Sequence, residues 1–229
     1  MADTPPATPP PSLPPKISVE EEYTPSYDAE KGSSTVLNFR TQIPIKSRRP
    51  YVIRFKLPVV TSAPANAVTG AGDLSVFGLT VAGTERQTRL IGFTVRVPLA
   101  HDNSLGSGKY SIGPAYGYQN RIGPWTIGFF TQSFFSVIGP SSRATVGQSK
   151  IEPILSYSFQ DGWSVGLSTM SMTYNWVRNQ WTEVPFGFGV DKRLGASLQA
   201  SLESETNLVT AKFAPSWTIR GLLKWQWRQ

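Results

Sequence analysis

The chain's one histidine, His101, stands beside Asp102 and three residues before Ser104. These are the residue types from which a nucleophile, a base and an orienting acid are assembled. Such a relay needs a hydrogen-bonded geometry that neighbours on one loop rarely reach, and a polar loop accounts for all three. Gly106-Ser107-Gly108-Lys109 resembles a phosphate loop in composition, but it lacks the full spacing and the strand–loop–helix setting, so it reads as a turn leading into a strand. Lys46, Arg48 and Arg49 form a basic cluster of the kind that meets nucleic acid. They fit a short turn as readily, and no nucleic-acid partner is expected. One histidine, no cysteine and dispersed carboxylates predict neither a metal site nor a catalytic centre, and no cofactor.

The remaining chemistry lies in charges spaced two residues apart. In residues 51–59, Tyr51, Ile53, Phe55, Leu57 and Val59 alternate with Arg54 and Lys56. Side chains on a strand alternate faces, so the two charges share one side. In residues 89–99, Ile91, Phe93, Val95, Val97 and Leu99 oppose Gly92, Thr94 and Arg96. Near the C-terminus Trp217, Ile219, Leu223, Trp225 and Trp227 oppose Thr218, Arg220, Lys224 and Gln226. Residues 151–159 set Ile151, Pro153, Leu155, Tyr157 and Phe159 against Glu152. Only Leu222 and Ile154 fall on the polar side.

These strands set the class. With 229 residues the chain is long enough for one large all-β domain. Hydrophobic residues are only 39% while aromatics reach 12%, which suits strands with one apolar face. No apolar run approaches the roughly 18 residues that a spanning helix needs. A barrel strand needs only about 9–11 alternating residues. Seven prolines mark residues 1–16 as an extended tail outside the folded domain of residues 17–229. Twelve strands are predicted: 17–27, 35–45, 51–61, 72–82, 88–99, 108–119, 124–138, 147–159, 163–176, 181–192, 196–206 and 215–228. Long and short connections alternate around most of the chain, and an even count lets an antiparallel sheet close. Pro114, Pro153 and Pro185 fall inside predicted strands, which requires bulges or interrupted ladders there.

A soluble barrel turns its apolar face inward and a membrane barrel turns it outward, and alternation alone does not separate them. Aromatic placement does. Tyr51, Tyr110, Trp125, Trp163, Trp176, Trp181, Trp217, Trp225 and Trp227 fall at or near predicted strand ends, as the interfacial girdles of a transmembrane barrel would.

Several stretches resemble the outer-membrane family described as putative proteins of the meta-pathway of phenol degradation, also called neuromedin U-like or transporter-like. They are residues 41–45 (TQIPI) and 54–59 (RFKLPV), then 105–114 (LGSGKYSIGP) and 123–128 (GPWTIG), then 152–157 (EPILSY), 161–163 (DGW) and 180–185 (QWTEVP) on through Gly189, and finally the Trp217 strand. They keep the family's order over about residues 35–228. The resemblance implies a barrel exported to the outer membrane. Met1 leads into Ala2-Asp3-Thr4-Pro5-Pro6 without an apolar leader, so export implies a signal peptide removed from this numbering.

The expected protein is therefore a closed antiparallel outer-membrane β-barrel of about twelve strands, with short periplasmic turns and longer external loops. It would act as a narrow channel or passive transporter for small solutes, anionic or aromatic. Arg40, Arg54, Lys56 and Arg96, with Glu152, Arg220 and Lys224, are the expected lumen contacts. Glu20 and Glu22 would face Arg220 and Lys224 across the closing seam. The expected partners are outer-membrane lipid, small solutes and a periplasmic partner for the tail. Two alternatives stand beside this reading: a structural or interaction barrel with a closed, ion-paired lumen, and a soluble barrel holding an apolar ligand.

Overall fold

Polar residues and glycines alternating with apolar side chains roll the chain into one closed antiparallel sheet. The structure, a computed structural model, describes residues 13–27, 32–47, 50–64, 67–84, 86–209 and 215–227. The expected tail of residues 1–16 thus lies outside the described residues as far as residue 12. The strand segments are β1 (Lys16–Tyr27), β2 (Ser34–Ile45), β3 (Tyr51–Ser62), β4 (Gly70–Ala71), β5 (Leu74–Gly83), β6 (Gln87–Val97), β7 (Tyr110–Ile122), β8 (Trp125–Ile138), β9 (Gly147–Ser158), β10 (Trp163–Leu167), β11 (Met172–Asn175), β12 (Gln180–Glu183), β13 (Pro185–Arg193), β14 (Leu198–Asn207) and β15 (Pro215–Gln226). β10 and β11 occupy one place in the wall beside β9, and β12 and β13 occupy the next. With β4 a two-residue addition to β3, the wall has twelve strand positions, closed where β15 pairs with β1.

The twelve positions match the predicted strands, with ends shifted by at most three residues. Two predictions are corrected: residues 163–176 and 181–192 are not continuous strands. The first breaks at residues 168–171, where the chain dips inward. Thr169 donates its backbone N–H and its hydroxyl to Glu203, both at 2.7 Å, and Ser168 Oγ donates to Glu205 at 3.2 Å. The second breaks at Val184, whose N–H is taken by the Asn207 side chain at 2.9 Å.

Each proline inside a predicted strand sits where a ladder is interrupted, because its nitrogen has no hydrogen to give. Pro153 lies between the stretch of β9 that pairs with β11, Gln148 to Ile151, and the stretch that pairs with β10, Ser156 to Ser158. Pro185 opens β13 just after the break. Pro114 falls in a gap of the β7–β8 ladder between Ile112 and Ala115. Glycines allow the sheet to coil beside such points: a Cβ on Gly92 would stand 1.9 Å from the Gly78 carbonyl oxygen, and one on Gly113 2.1 Å from that of Ser133.

Turns of two to five residues lie on the rim that carries the first strand's start and the last strand's end, and the opposite rim has loops as long as residues 98–109. The tightest turn, between β7 and β8, places Gly123 at φ 59° before Pro124, the positive φ that a primed hairpin turn requires.

Burial is inverted relative to a soluble barrel. Among the described residues seven apolar side chains are buried against sixteen polar or charged ones. Phe93, Ile127, Phe188, Leu202 and Leu223 are meanwhile exposed on the outer face. A continuous apolar exterior of that kind is unstable in water and stable in lipid, which overturns the alternative of a soluble barrel with an apolar lumen.

Candidate functional site

Inward-pointing residues enclose a cavity of about 1140 Å³. It has an apolar sector and a charged one. The apolar sector is formed by Phe77, Leu90, Phe130 and Leu13, which belong to or pack against a buried cluster with Val52, Leu79, Val81 and Ala115 on β3, β5 and β7. It exists because β5 is apolar on both faces, so its inward residues Phe77, Leu79 and Val81 fill the lumen near the short-turn rim. Leu13 precedes the first strand, so the chain enters the lumen before it joins the wall. Two bonds hold it there: Gln42 Nε2 donates to the Pro14 carbonyl at 2.8 Å, and the Trp227 N–H donates to the Pro15 carbonyl at 3.1 Å.

The structure places all seven expected lumen residues around this cavity. Arg40, Arg54, Lys56 and Arg96 come from β2, β3 and β6, Glu152 from β9, and Arg220 and Lys224 from β15. Each has different neighbours. Arg40 pairs with Glu20 at 2.7 Å, and Asn38 also donates to that carboxylate at 3.2 Å. Arg54 Nε donates to Gln42 Oε1 at 2.8 Å, and its guanidinium lies 5.9 Å from the Phe130 ring centre. The Arg96 guanidinium lies 4.0 Å from the centre of the Phe134 ring, within the range of a cation–π contact. Glu152 accepts from Gln132 at 3.2 Å. Arg220 is held by Glu22 at 3.0 Å and Glu205 at 2.5 Å. The closing seam therefore carries the expected opposite-charge contact for Arg220 and Glu22. Lys224, in contrast, faces Ser18, and Glu20 turns to Arg40 instead.

Sequence reasoning missed three cavity cations, Lys16, Arg121 and Lys150; Arg121 lies on β7 beyond the predicted strand end at residue 119. Lys150 shares its parity with Glu152 on β9, so alternation alone could have found it. Lys16 was set aside with the proline-rich tail, although it is the first residue of β1. Among the described residues the side-chain ammonium groups of Lys16, Lys56, Lys150 and Lys224 have no hydrogen bond and no carboxylate within 4.0 Å. Counting all charged cavity-lining residues, nine are basic and six acidic. The cavity lining thus carries more basic than acidic side chains.

The nine predicted interfacial aromatics are all exposed and fall into two bands. Tyr51, Trp125, Trp163, Trp225 and Trp227 lie at the short-turn rim, whereas Tyr110, Trp176, Trp181 and Trp217 lie toward the long-loop rim. The polar loop residues do not assemble a nucleophilic relay. Asp102 accepts from the Ser104 N–H at 2.8 Å and from its hydroxyl at 2.7 Å, so the serine proton is given to the acid and not to His101. Those two bonds, the backbone one first, hold the Asp102 carboxyl below its usual range. The glycine-lysine turn is structural: Ser107 donates its N–H and hydroxyl to Asp73, both at 2.7 Å, and Arg143 donates to the Gly106 and Ser107 carbonyls.

No family model and no curated protein matches the chain, so the name of the phenol-degradation family is not supported by a family match. Solved structures do match. An outer membrane channel from Pseudomonas putida is 15% identical, with a TM-score of 0.71 over 99% of this chain and 100% of that one. The KdgM porin is 8% identical, with a TM-score of 0.60 over 93% of this chain and 99% of that one. The outer membrane phospholipase A of Escherichia coli is 8% identical, with a TM-score of 0.53 over 93% of this chain and 92% of that one. At these identities the likeness is one of fold. The chain has the fold of outer-membrane β-barrels.

Proposed function

We propose that this chain is an outer-membrane barrel that forms a narrow channel for small solutes and favours anions. The observation that carries the reading is the cavity's surplus of basic side chains, with four lysines left without a hydrogen bond or ion pair among the described residues. Twelve strands give a bore between the filled eight-stranded barrels and the open sixteen-stranded porins. Rings of Lys and Arg select anions in such pores. Arg40, Arg54, Lys56, Arg96 and Lys224 are the proposed solute contacts. Arg220, held by two carboxylates, and the acidic Glu152 would shape the wall. Phe77, Phe130 and Phe134 also line the cavity, which extends the proposal to anions that carry an aromatic ring. Membership in the phenol-degradation family belongs to the same proposal. Its two most specific stretches lie on the Asp73–Ser107 clasp and on β12 up to Pro185.

The test is reconstitution in a planar bilayer under a potassium chloride gradient. An anion-selective reversal potential that moves toward zero in Lys56→Gln and Arg54→Gln is the expected result, and a non-conducting or cation-selective barrel overturns it. A second reading, a closed structural barrel, draws support from the apolar cluster that Leu13 helps to fill and from the paired Arg220. A barrel that inserts and resists heat but never conducts would establish that reading. Leu13 to Pro15 are engaged with the barrel itself, so the periplasmic partner expected for the tail is not carried into the proposal.

A further inference from the structure

The inward basic residues are not scattered; the strand register aligns them. Lys224 faces Ser18 across β15 and β1, Ser18 faces Arg40, Arg40 faces Lys56, Lys56 faces Ser75, and Ser75 faces Arg96. These six residues on six adjacent strands form one continuous row around the lumen wall, and all of them line the cavity. Neighbouring strands are about 4.8 Å apart, so the row offers positive charges about 5 to 10 Å apart at the wall, with hydroxyls between them. Lys150 on β9 faces the same space, and the positive charges of Arg40 and Lys150 both bear on Lys56.

Arg40 already has Glu20 as a partner, whereas the Lys56 and Lys224 ammonium groups have no carboxylate within ion-pair distance among the described residues; a ligand with a single carboxylate reaches one of these two lysines and leaves the other. With nine basic and six acidic lining residues the surplus is three positive charges. Uncompensated charge inside a wall is costly, and a bound anion would offset what the lining carboxylates, with Asp191 and Glu203 near Lys224, leave over. We infer that this row is a binding site for small solutes bearing two or three anionic groups, held by Lys56 and Lys224 with Arg40 and Arg96. Carboxylates and phosphates share the required chemistry. The inference deepens the anion-channel reading and rests on it for its physiological meaning, though binding can be measured whether or not the barrel conducts.

The test is calorimetric titration of the detergent-solubilised full chain with tricarballylate, with pyrophosphate and with acetate at equal ionic strength. Each added charge-assisted contact tightens binding by about tenfold or more, so the expected result is tricarballylate or pyrophosphate binding at least about tenfold tighter than acetate. The ratio of the two polyanions says which chemistry the site prefers. The double variant Lys56→Gln/Lys224→Gln should lose most of that difference while keeping the wild-type shift between unheated and boiled samples on an SDS gel. Equal affinity for acetate and the polyanions, or no polyanion binding by the heat-modifiable wild type, overturns the inference even if the channel is anion-selective. Tight polyanion binding by a barrel that passes no current overturns the channel reading and leaves the site standing.

Discussion

Arg220 on β15 donates from its Nε to Glu22 on β1 at 3.0 Å, joining residues 198 positions apart across the seam that closes the barrel. The same guanidinium reaches Glu205 on β14 at 2.5 Å, so three consecutive strands share one buried charge centre. Removing one partner of such a centre typically costs about 3–5 kcal/mol, because the others are left uncompensated. Arg220→Met should lower the temperature at which the barrel loses its fast-migrating, heat-resistant form on an SDS gel. Adding Glu22→Gln and Glu205→Gln to it should recover much of that loss. An unchanged transition in the single variant would mean that the seam is held by its backbone ladder alone.

All seven tryptophans of the chain belong to the two exposed bands, so tryptophan fluorescence reports only on the interfaces. In reconstituted vesicles, lipids brominated near the headgroup should quench it more than lipids brominated at the chain ends. The reverse order would place the apolar exterior at the wrong depth.

Leu13 is seated on the apolar cluster inside the lumen. Leu13→Asp puts a carboxylate against that cluster, and the cost of burying it unpaired drives the segment out. Unit conductance in planar bilayers should rise relative to the wild type, whereas Leu13→Met should leave it close to unchanged. Equal conductance in all three would show that this segment does not narrow the path.

Asp102 is held low by bonds that only its folded loop supplies. Its folded pKa lies below the unfolded value near 3.9. The contribution to loop order is therefore present above that value and is lost as pH falls through the folded pKa. Ser104→Ala should raise the Asp102 titration midpoint, read from its side-chain carbon shift by NMR. A midpoint that does not move would show that Ser104 is not its partner in solution.

Much of the architecture was legible in local pattern. Side chains alternate with a period of two on any strand, so the parity of Arg54 and Lys56, or of Arg220 and Lys224, assigns them to one face without knowledge of the partner strand. The same parity would have assigned Lys150. The break at residues 168–171 was not legible, because its cause lies on another strand: the Glu203 and Glu205 carboxylates accept the bonds that draw Ser168 and Thr169 inward. Pro153 gave a warning of that break, but only pairing shows which ladder it interrupts.

From its own residues, then, the chain determined twelve strand positions, the face to which each charge belongs and the end of the strand at which each tryptophan lies, because these follow from alternation and turn chemistry along a single segment. Tertiary structure alone decided which charges meet. Arg40 lies beside Lys56, and Glu22 opposite Arg220, through the stagger between strands. The chain segment before β1 enters the lumen where the apolar inner face of β5 receives Leu13 and Gln42 and Trp227 bond Pro14 and Pro15, a complementarity between distant residues that no local pattern encodes.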